Sequence, residues 1–98
     1  MIELRRTDAF QRWIEKLRDR QAKAKIAVRL LRLEAGLFGD AKSVGDGVSE
    51  LRIPYGPGYR VYFTRRGREV VILLCGGDKS RQSADIAAAK AMAKEIET

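Results

Sequence analysis

Arginine and tyrosine side chains alternate with apolar ones from Glu50 to Arg66, on both sides of Gly56-Pro57-Gly58. Side chains in a strand point alternately to opposite faces, so Arg52, Arg60 and Tyr62 are predicted to share the face turned away from the core. Facing positions on paired antiparallel strands lie about 5 Å apart, and two arginines at that spacing can hold one phosphate group. The pattern therefore predicts a surface that binds a polyanion.

These arginines can also be read as ordinary solvated strand residues. Three tyrosines are interleaved with them, namely Tyr55, Tyr59 and Tyr62. Aromatic rings among cations are typical of surfaces that grip single-stranded nucleic acid, which favours the functional reading. Both readings stay open on these residues alone.

A second candidate is the stretch Gly76 to Gln82, GGDKSRQ, which is predicted to lead from a buried strand into the last helix. Its glycines would let the backbone approach a ligand, and Lys79 and Arg81 add positive charge where a helix begins. The spacing of a phosphate-binding P-loop is missing. A plain connection capped by Ser80 or Ser83 is equally compatible with the pattern. If the stretch is functional, it shares a pocket with the arginine-bearing strands.

The composition restricts the chemistry that these side chains can perform. The chain has no histidine and one cysteine, Cys75, which lies in the apolar run VVILLC and is predicted to be a buried hydrophobe. A triad, an imidazole base and the usual zinc ligands are therefore excluded, and the 13 acidic residues are scattered, so no metal and no cofactor are predicted. An enzyme of this composition would use lysine, arginine, tyrosine or a carboxylate with a shifted pKa.

The charge balance indicates polyanionic partners. Lys and Arg number 20 against 13 Asp and Glu, which gives a net charge of +7 and an isoelectric point of about 10.0. Nucleic acid, an acidic protein and a membrane surface are all compatible with that charge. The longest apolar run is too short to cross a bilayer and no secretion signal is recognisable, so the chain is predicted to be soluble and cytoplasmic.

The first half of the chain is predicted to be mostly helical. A short strand over 1–6 precedes a helix over 8–19, whose apolar stripe includes Trp13 and would bury that ring in the core. A second helix follows and ends at Gly36 or Gly39. Its many basic residues are read as its solvated side in preference to a nucleic-acid surface.

The second half is predicted to be a meander followed by a helix. The polar, glycine-rich stretch 38–47 is read as a loop, the strands are placed at 48–54, 58–65 and 69–75, and the last helix spans 83–97. The third strand of the meander is apolar on both faces, so it is predicted to be central and covered on both sides. With 98 residues, the whole chain is read as one α+β domain, 1–98.

Four blocks of the sequence resemble the RelE/ParE superfamily of bacterial toxins. They are RWIEKLRD, AKIAVRLLRLEAGLFGD, VSELRIPYGPGYRVYF and VVILLCGGDKSRQSADI. Within the superfamily, the chain is most similar to the HigB-like, phage-related addiction module killer proteins, from about Phe10 to Ala93. The last two blocks are specific in combination.

The resemblance implies a RelE-like fold in which an antiparallel sheet, made of the N-terminal strand and the meander, packs on the two N-terminal helices, with a C-terminal helix added. It implies a toxin that a cognate helix-turn-helix antitoxin neutralises and that meets operator DNA only through that antitoxin. The expected activity is ribosome-dependent cleavage of mRNA, without a metal, by attack of the RNA 2'-hydroxyl on the neighbouring phosphate. No membrane partner is expected.

The resemblance also assigns roles to individual residues. Arg52 and Arg60 would stabilise the charge on the phosphate in the transition state, and Lys79 would protonate the leaving oxygen or clamp the phosphate. Tyr62 is a weaker catalytic candidate, and Asp85 is read as a structural or capping residue, which leaves the general base unassigned. The residues expected to bind RNA are Tyr55, Tyr59, Arg81 and Gln82.

Two alternatives belong to different functional classes. A ParE-like toxin would bind DNA gyrase and would need no catalytic residues, whereas a non-toxic corepressor would act only together with its antitoxin. A converging pocket of Arg52, Arg60 and Lys79 favours the RNA-cleaving enzyme over both.

Overall fold

Five strands form one mixed sheet in the computed structural model, which describes residues 1–97. The strands are β1 (Glu3–Arg6), β2 (Ala41–Gly45), β3 (Val48–Ile53), β4 (Tyr59–Arg66) and β5 (Val70–Asp78). The helices are α1 (Asp8–Lys16), α2 (Arg20–Glu34) and α3 (Gln82–Glu97), and a single 3-10 turn, Lys79–Arg81, precedes α3. The α+β class that the sequence predicted is confirmed.

Both N-terminal helices begin at capping side chains, whereas α1 ends at Lys16, before the predicted end at 19. Oγ1 of Thr7 accepts a hydrogen bond from the backbone N–H of Phe10 at 3.1 Å, and the carboxylate of Asp19 caps α2 in the same way. Gly36, with a φ of 83°, ends α2 in the left-handed conformation that glycine adopts at helix termini, as predicted. No helix within residues 1–97 is both long enough and apolar enough to cross a membrane.

The strand order is β1-β5-β4-β3-β2, and β1 runs parallel to β5 while all other neighbours are antiparallel. The prediction of a wholly antiparallel sheet is therefore wrong at one edge. Alternation of apolar residues identifies a strand but carries no information about its direction. The direction follows from the path of the chain, which leaves β1 and returns to its side only after two helices and three strands.

The predicted loop over 38–47 contains a further strand, β2, which pairs antiparallel with β3. Only Ala41 and Val44 of this strand are partly buried, and a bulge interrupts the pairing between Ser43 and Gly45. An edge strand with so few apolar residues has a composition close to that of a loop, so the sequence pattern missed it. The last strand is also longer than predicted and ends at Asp78.

The sheet separates two apolar cores. On one face, Leu51, Ile53, Val61 and Phe63 pack against α1 and α2, as the alternation predicted. On the other face, the buried small residues Ala89 and Ala93 let α3 approach the sheet closely. Strand β5 lies between β1 and β4 and contributes to both cores, so the predicted cover on both sides of this strand is confirmed.

Candidate functional site

A buried polar network lies between β3, β4 and the beginning of α3. Glu50 is 2% exposed, and its Oε2 accepts a hydrogen bond of 2.8 Å from Nε2 of Gln82. Its Oε1 lies 3.7 Å from Nε of Arg60, whose side chain is 13% exposed. Strand alternation places both charged groups on the face that α3 covers. The network therefore places a buried negative charge beside the Arg60 guanidinium, although Nε of Arg60 makes no hydrogen bond within the described residues.

Arg60 and Lys79 both border Gly58, in the turn between β3 and β4. A Cβ atom placed on Gly58 would lie 3.5 Å from Cβ of Lys79 and 3.8 Å from Nη1 of Arg60. Gly58 has a φ of 81°, so glycine is suited to this position both by conformation and by space. The structure thus places two residues predicted to be catalytic beside the same glycine. Arg60 comes from the predicted hairpin, and Lys79 comes from the glycine-rich stretch Gly76 to Gln82.

Arg52 lies directly opposite Arg60 in the pairing of β3 with β4, as the sequence predicted. Its guanidinium nevertheless turns toward Asp40, whose Oδ1 accepts hydrogen bonds of 3.1 Å from Nε and 2.7 Å from Nη2. Hydrogen bonding to Asp40 raises the pKa of Arg52. The two arginines therefore do not converge on one point, because each guanidinium is directed to a different carboxylate.

Tyr62 was predicted to share an exposed face with the arginines, and that placement is wrong. The residue is 0% exposed, since α3 covers this face of the sheet. Burial raises the pKa of its hydroxyl well above the usual value, with Glu50 and then Asp85 adding to the shift. The hydroxyl has no hydrogen-bond partner within the described residues and is closed off from a ligand outside.

The other two tyrosines lie away from the network of Glu50 and Arg60. The hydroxyl of Tyr55 donates a hydrogen bond of 2.7 Å to Oε1 of Gln21, at the beginning of α2, and Lys25 lies over its ring. Tyr59 is 9% exposed and packs toward α1. The structure therefore does not gather the three tyrosines into one stacking surface beside Arg60.

The two glycines at the end of β5 provide room for protein side chains. A Cβ atom on Gly76 would lie 2.3 Å from Cε3 of Trp13, and one on Gly77 would lie 1.9 Å from Oδ2 of Asp85. The 3-10 turn that follows is capped by Asp78, in place of the predicted serines, and hydrogen bonds from Ser80 lower the pKa of that carboxyl. The sequence indicated that these glycines allow a close approach to the backbone. It did not show that the approaching groups are the side chains of Trp13 and Asp85.

Trp13 and Asp85 also border a groove of about 330 Å³ that the sequence did not predict. Tyr59, Asp78, Arg81 and the two glycines complete most of its lining, and we call it the Trp13 groove. Trp13 was predicted to be a core residue, but it is only partly buried. Its ring packs against the core on one side and against Gly76 on another, and the sequence alone gives no signal of that second contact.

Electrostatically, the turn at Gly58 suits a phosphate group. Lys79 is exposed, and Arg60, which is paired with a buried carboxylate, borders the same glycine. Two cations next to a backbone turn can bind a phosphate and stabilise charge that develops on it. Within residues 1–97, no three histidine, cysteine or acidic residues are grouped so that they could hold a metal ion.

Comparison with known proteins places the chain among relatives. The family described as Phage derived protein Gp49-like (DUF891) matches residues 12–98. The chain belongs to this Gp49-like family. An uncharacterized protein of Haemophilus influenzae is 53% identical to the chain over 95 residues, which cover 97% of the chain and 96% of that protein. The Gp49-like family is of the RelE toxin type and is associated with the toxins of toxin-antitoxin systems.

Proposed function

We propose that this Gp49-like protein is the toxin of a type II toxin-antitoxin system and that it cleaves mRNA on the ribosome. The observation that carries the proposal is that Arg60 and Lys79 both border Gly58, while the buried Glu50 carboxylate, which Gln82 binds, lies 3.7 Å from Nε of Arg60. The resemblance to HigB-like killer proteins supports the same activity.

The chemistry needs no metal ion. The 2'-oxygen of a ribose forms a bond to the adjacent phosphorus and loses its proton, while the bond from phosphorus to the 5'-oxygen of the next nucleotide breaks. The leaving oxygen takes up a proton. The products carry a 2',3'-cyclic phosphate and a 5'-hydroxyl, so atoms and charge balance without an added reagent.

Each proposed role follows from where the side chain lies. Arg60 donates to the phosphate oxygens and stabilises the extra negative charge of the pentacoordinate state, which preorganisation by Glu50 makes effective. Lys79, on the exposed 3-10 turn, carries a proton that it can give to the leaving oxygen. Glu50 and Gln82 act through Arg60 and are positioning residues.

The proposed partners are a cognate helix-turn-helix antitoxin, mRNA and the ribosome. The net charge of +7 suits the RNA and the ribosome, and it equally suits an acidic antitoxin segment. Contact with operator DNA is proposed to occur only through the antitoxin. The proposed place of action is the cytoplasm, where translating ribosomes are found.

Controlled expression with mapping of 5'-hydroxyl RNA ends tests the proposal. Within minutes of induction, new 5'-hydroxyl ends should accumulate in translated regions of mRNA and stay rare in untranslated RNA. The proposal is overturned if growth stops while transcripts stay intact and DNA breaks accumulate, since that outcome indicates gyrase as the target. Normal growth with intact transcripts overturns it as well and favours a corepressor.

A further inference from the structure

The Trp13 groove joins an aromatic wall to a backbone floor beside the phosphate-binding turn. Trp13 comes from α1 and Tyr59 from β4, and the two rings meet edge to face with centroids 6.3 Å apart at 64°. Gly76 packs against the indole so closely that even a methyl group would collide with it. The indole is therefore held in place by packing, as a stacking platform for a planar ligand must be.

The floor of the groove is a strand edge that has lost its neighbour. β1 pairs with β5 only as far as Leu73, and Thr7 then bonds to the carbonyl oxygens of Leu73 and Leu74. From Cys75 to Asp78, β5 pairs with β4 on one side, and on its other side no strand lies among the described residues. The side-chain positions of Gly76 and Gly77 are filled by Trp13 and Asp85, so the open part of the floor is the unpaired backbone edge of β5.

The polar groups of the groove suit a base better than a phosphate. Two carboxylates, from Asp78 and Asp85, and one guanidinium, from Arg81, line it. These two negatively charged carboxylates would repel a phosphate. As hydrogen-bond acceptors, they attract N–H donors on the edge of a nucleobase. Burial raises the pKa of Asp85, the direction expected for a carboxylate that lacks strong partners of its own.

Guanine matches this set of groups most fully. Its Watson-Crick edge presents two adjacent N–H donors, which one carboxylate can accept together, next to a carbonyl oxygen that an arginine can contact. Adenine and cytosine each present one amino group there, and uracil presents one imino N–H. A well-placed bidentate pair discriminates between bases by a factor of about ten or more.

The groove also lies where a base of the bound RNA would have to be. Gly77 is the cross-strand partner of Arg60, Asp78 is the partner of Tyr59, and Lys79 follows at once in the chain. The residues that line the groove are therefore direct neighbours of Arg60 and Lys79, across the strand pairing and along the chain. We propose that the Trp13 groove binds one purine base of the RNA, with guanine preferred, stacked on the indole. The inference rests on the proposed function because that function supplies RNA as the ligand.

Fluorescence gives a direct test, since Trp13 is the only tryptophan of the chain. The full-length protein is titrated with GMP, AMP, CMP and UMP, and with inorganic phosphate as the control for charge. GMP should quench the emission at the lowest concentration, about tenfold below the others, and phosphate should leave it unchanged. Equal quenching by all four nucleotides, or none at millimolar concentration, overturns the proposal.

Variants separate base recognition from folding and from catalysis. Asp85→Asn should remove most of the preference for GMP over AMP, and Arg68→Ala, which changes an exposed arginine in the turn before β5, should keep it. A preference that survives Asp85→Asn and Asp78→Asn in folded protein contradicts the assignment. If RNA ends appear in cells but no nucleotide affects Trp13, the groove is wrong and the cleavage proposal stands. If GMP quenches the emission of Trp13 and no RNA is cut, the groove proposal stands and the cleavage proposal is wrong.

Discussion

The carboxylate of Glu50 lies 3.7 Å from Nε of Arg60, and the two side chains are 3% and 13% exposed. Glu50 belongs to β3 and Arg60 to β4, and the amide of Gln82 holds the carboxylate from the α3 side. The contact is an ion pair and not a hydrogen bond, since Nε of Arg60 has no hydrogen-bond partner within the described residues. The attraction of the carboxylate still favours a guanidinium that lies beside it. The packing of α3 therefore affects the proposed phosphate site, because Gln82 of α3 binds Glu50 and Glu50 is paired with Arg60.

Removing Glu50 should destabilise the fold. Glu50→Ala leaves the guanidinium of Arg60 largely buried without its counter-charge, so the free energy of unfolding should fall by about 3 kcal/mol. Urea denaturation followed by circular dichroism measures the change. The matched control is Glu3→Ala, which breaks an exposed pair with Arg5 and should cost less than about 1 kcal/mol. An equal decrease in the free energy of unfolding for the two variants would show that the buried pair stabilises the fold no more than the exposed pair does.

Arg52 should contribute less to RNA cleavage than Arg60. Its guanidinium is held by Asp40, so Arg52→Ala should reduce the cleavage rate by less than about tenfold, whereas Arg60→Ala should reduce it by about a hundredfold. Rates on ribosome-bound mRNA give the comparison, and Asp40→Ala, which removes the acceptor of both hydrogen bonds from Arg52, is the control. A loss as large for Arg52→Ala as for Arg60→Ala would mean that Arg52 leaves Asp40 when RNA binds.

Gly76 should tolerate no side chain. Gly76→Ala places a methyl group 2.3 Å from the Trp13 ring, which cannot move without disturbing α1, so the variant should lose about 1–3 kcal/mol of stability. Gly77→Ala meets only the carboxylate of Asp85, which can rotate away, and should lose less. Urea denaturation orders the two variants, and a larger loss for Gly77→Ala would contradict the account of the groove.

The thiol of Cys75 should be unreactive in the folded protein. Burial, and to a lesser extent Asp85, raises its pKa from 9.0 to about 11, so the thiolate fraction near pH 8 falls about a hundredfold. Alkylation by iodoacetamide at pH 8 should slow by at least that factor relative to the protein in urea, and should accelerate as the pH rises toward 11. Labelling of folded protein within tenfold of the unfolded rate at pH 8 would refute the prediction.

The fold could be predicted where local rules decide it. Apolar periods of two and of three to four residues identified four of the five strands and all three helices, and Thr7 and Gly36 gave correct helix ends. The direction of β1 and the existence of β2 could not be predicted in this way. Both depend on pairing between distant segments, for which a single strand carries no local signal.

The candidate site was predicted in part. Alternation correctly placed Arg52 opposite Arg60, and the glycine-rich stretch correctly led to Lys79 beside them. The sequence pattern did not show that α3 buries Tyr62 or that Asp40 binds Arg52, because both effects come from elements remote in sequence. Glu50 was missed since an acidic residue at the start of a basic strand reads as a solvated neighbour until its burial is known.

Cleavage of a defined mRNA by purified protein on programmed ribosomes tests the central claim most directly. Wild-type protein and the exposed-site control Arg68→Ala should produce 5'-hydroxyl ends at the same rate, while Arg60→Ala and Lys79→Ala should each lower that rate about a hundredfold or more and remain folded. Wild-type protein that leaves the mRNA intact would contradict the account, as would folded Arg60→Ala and Lys79→Ala variants that cut at the wild-type rate.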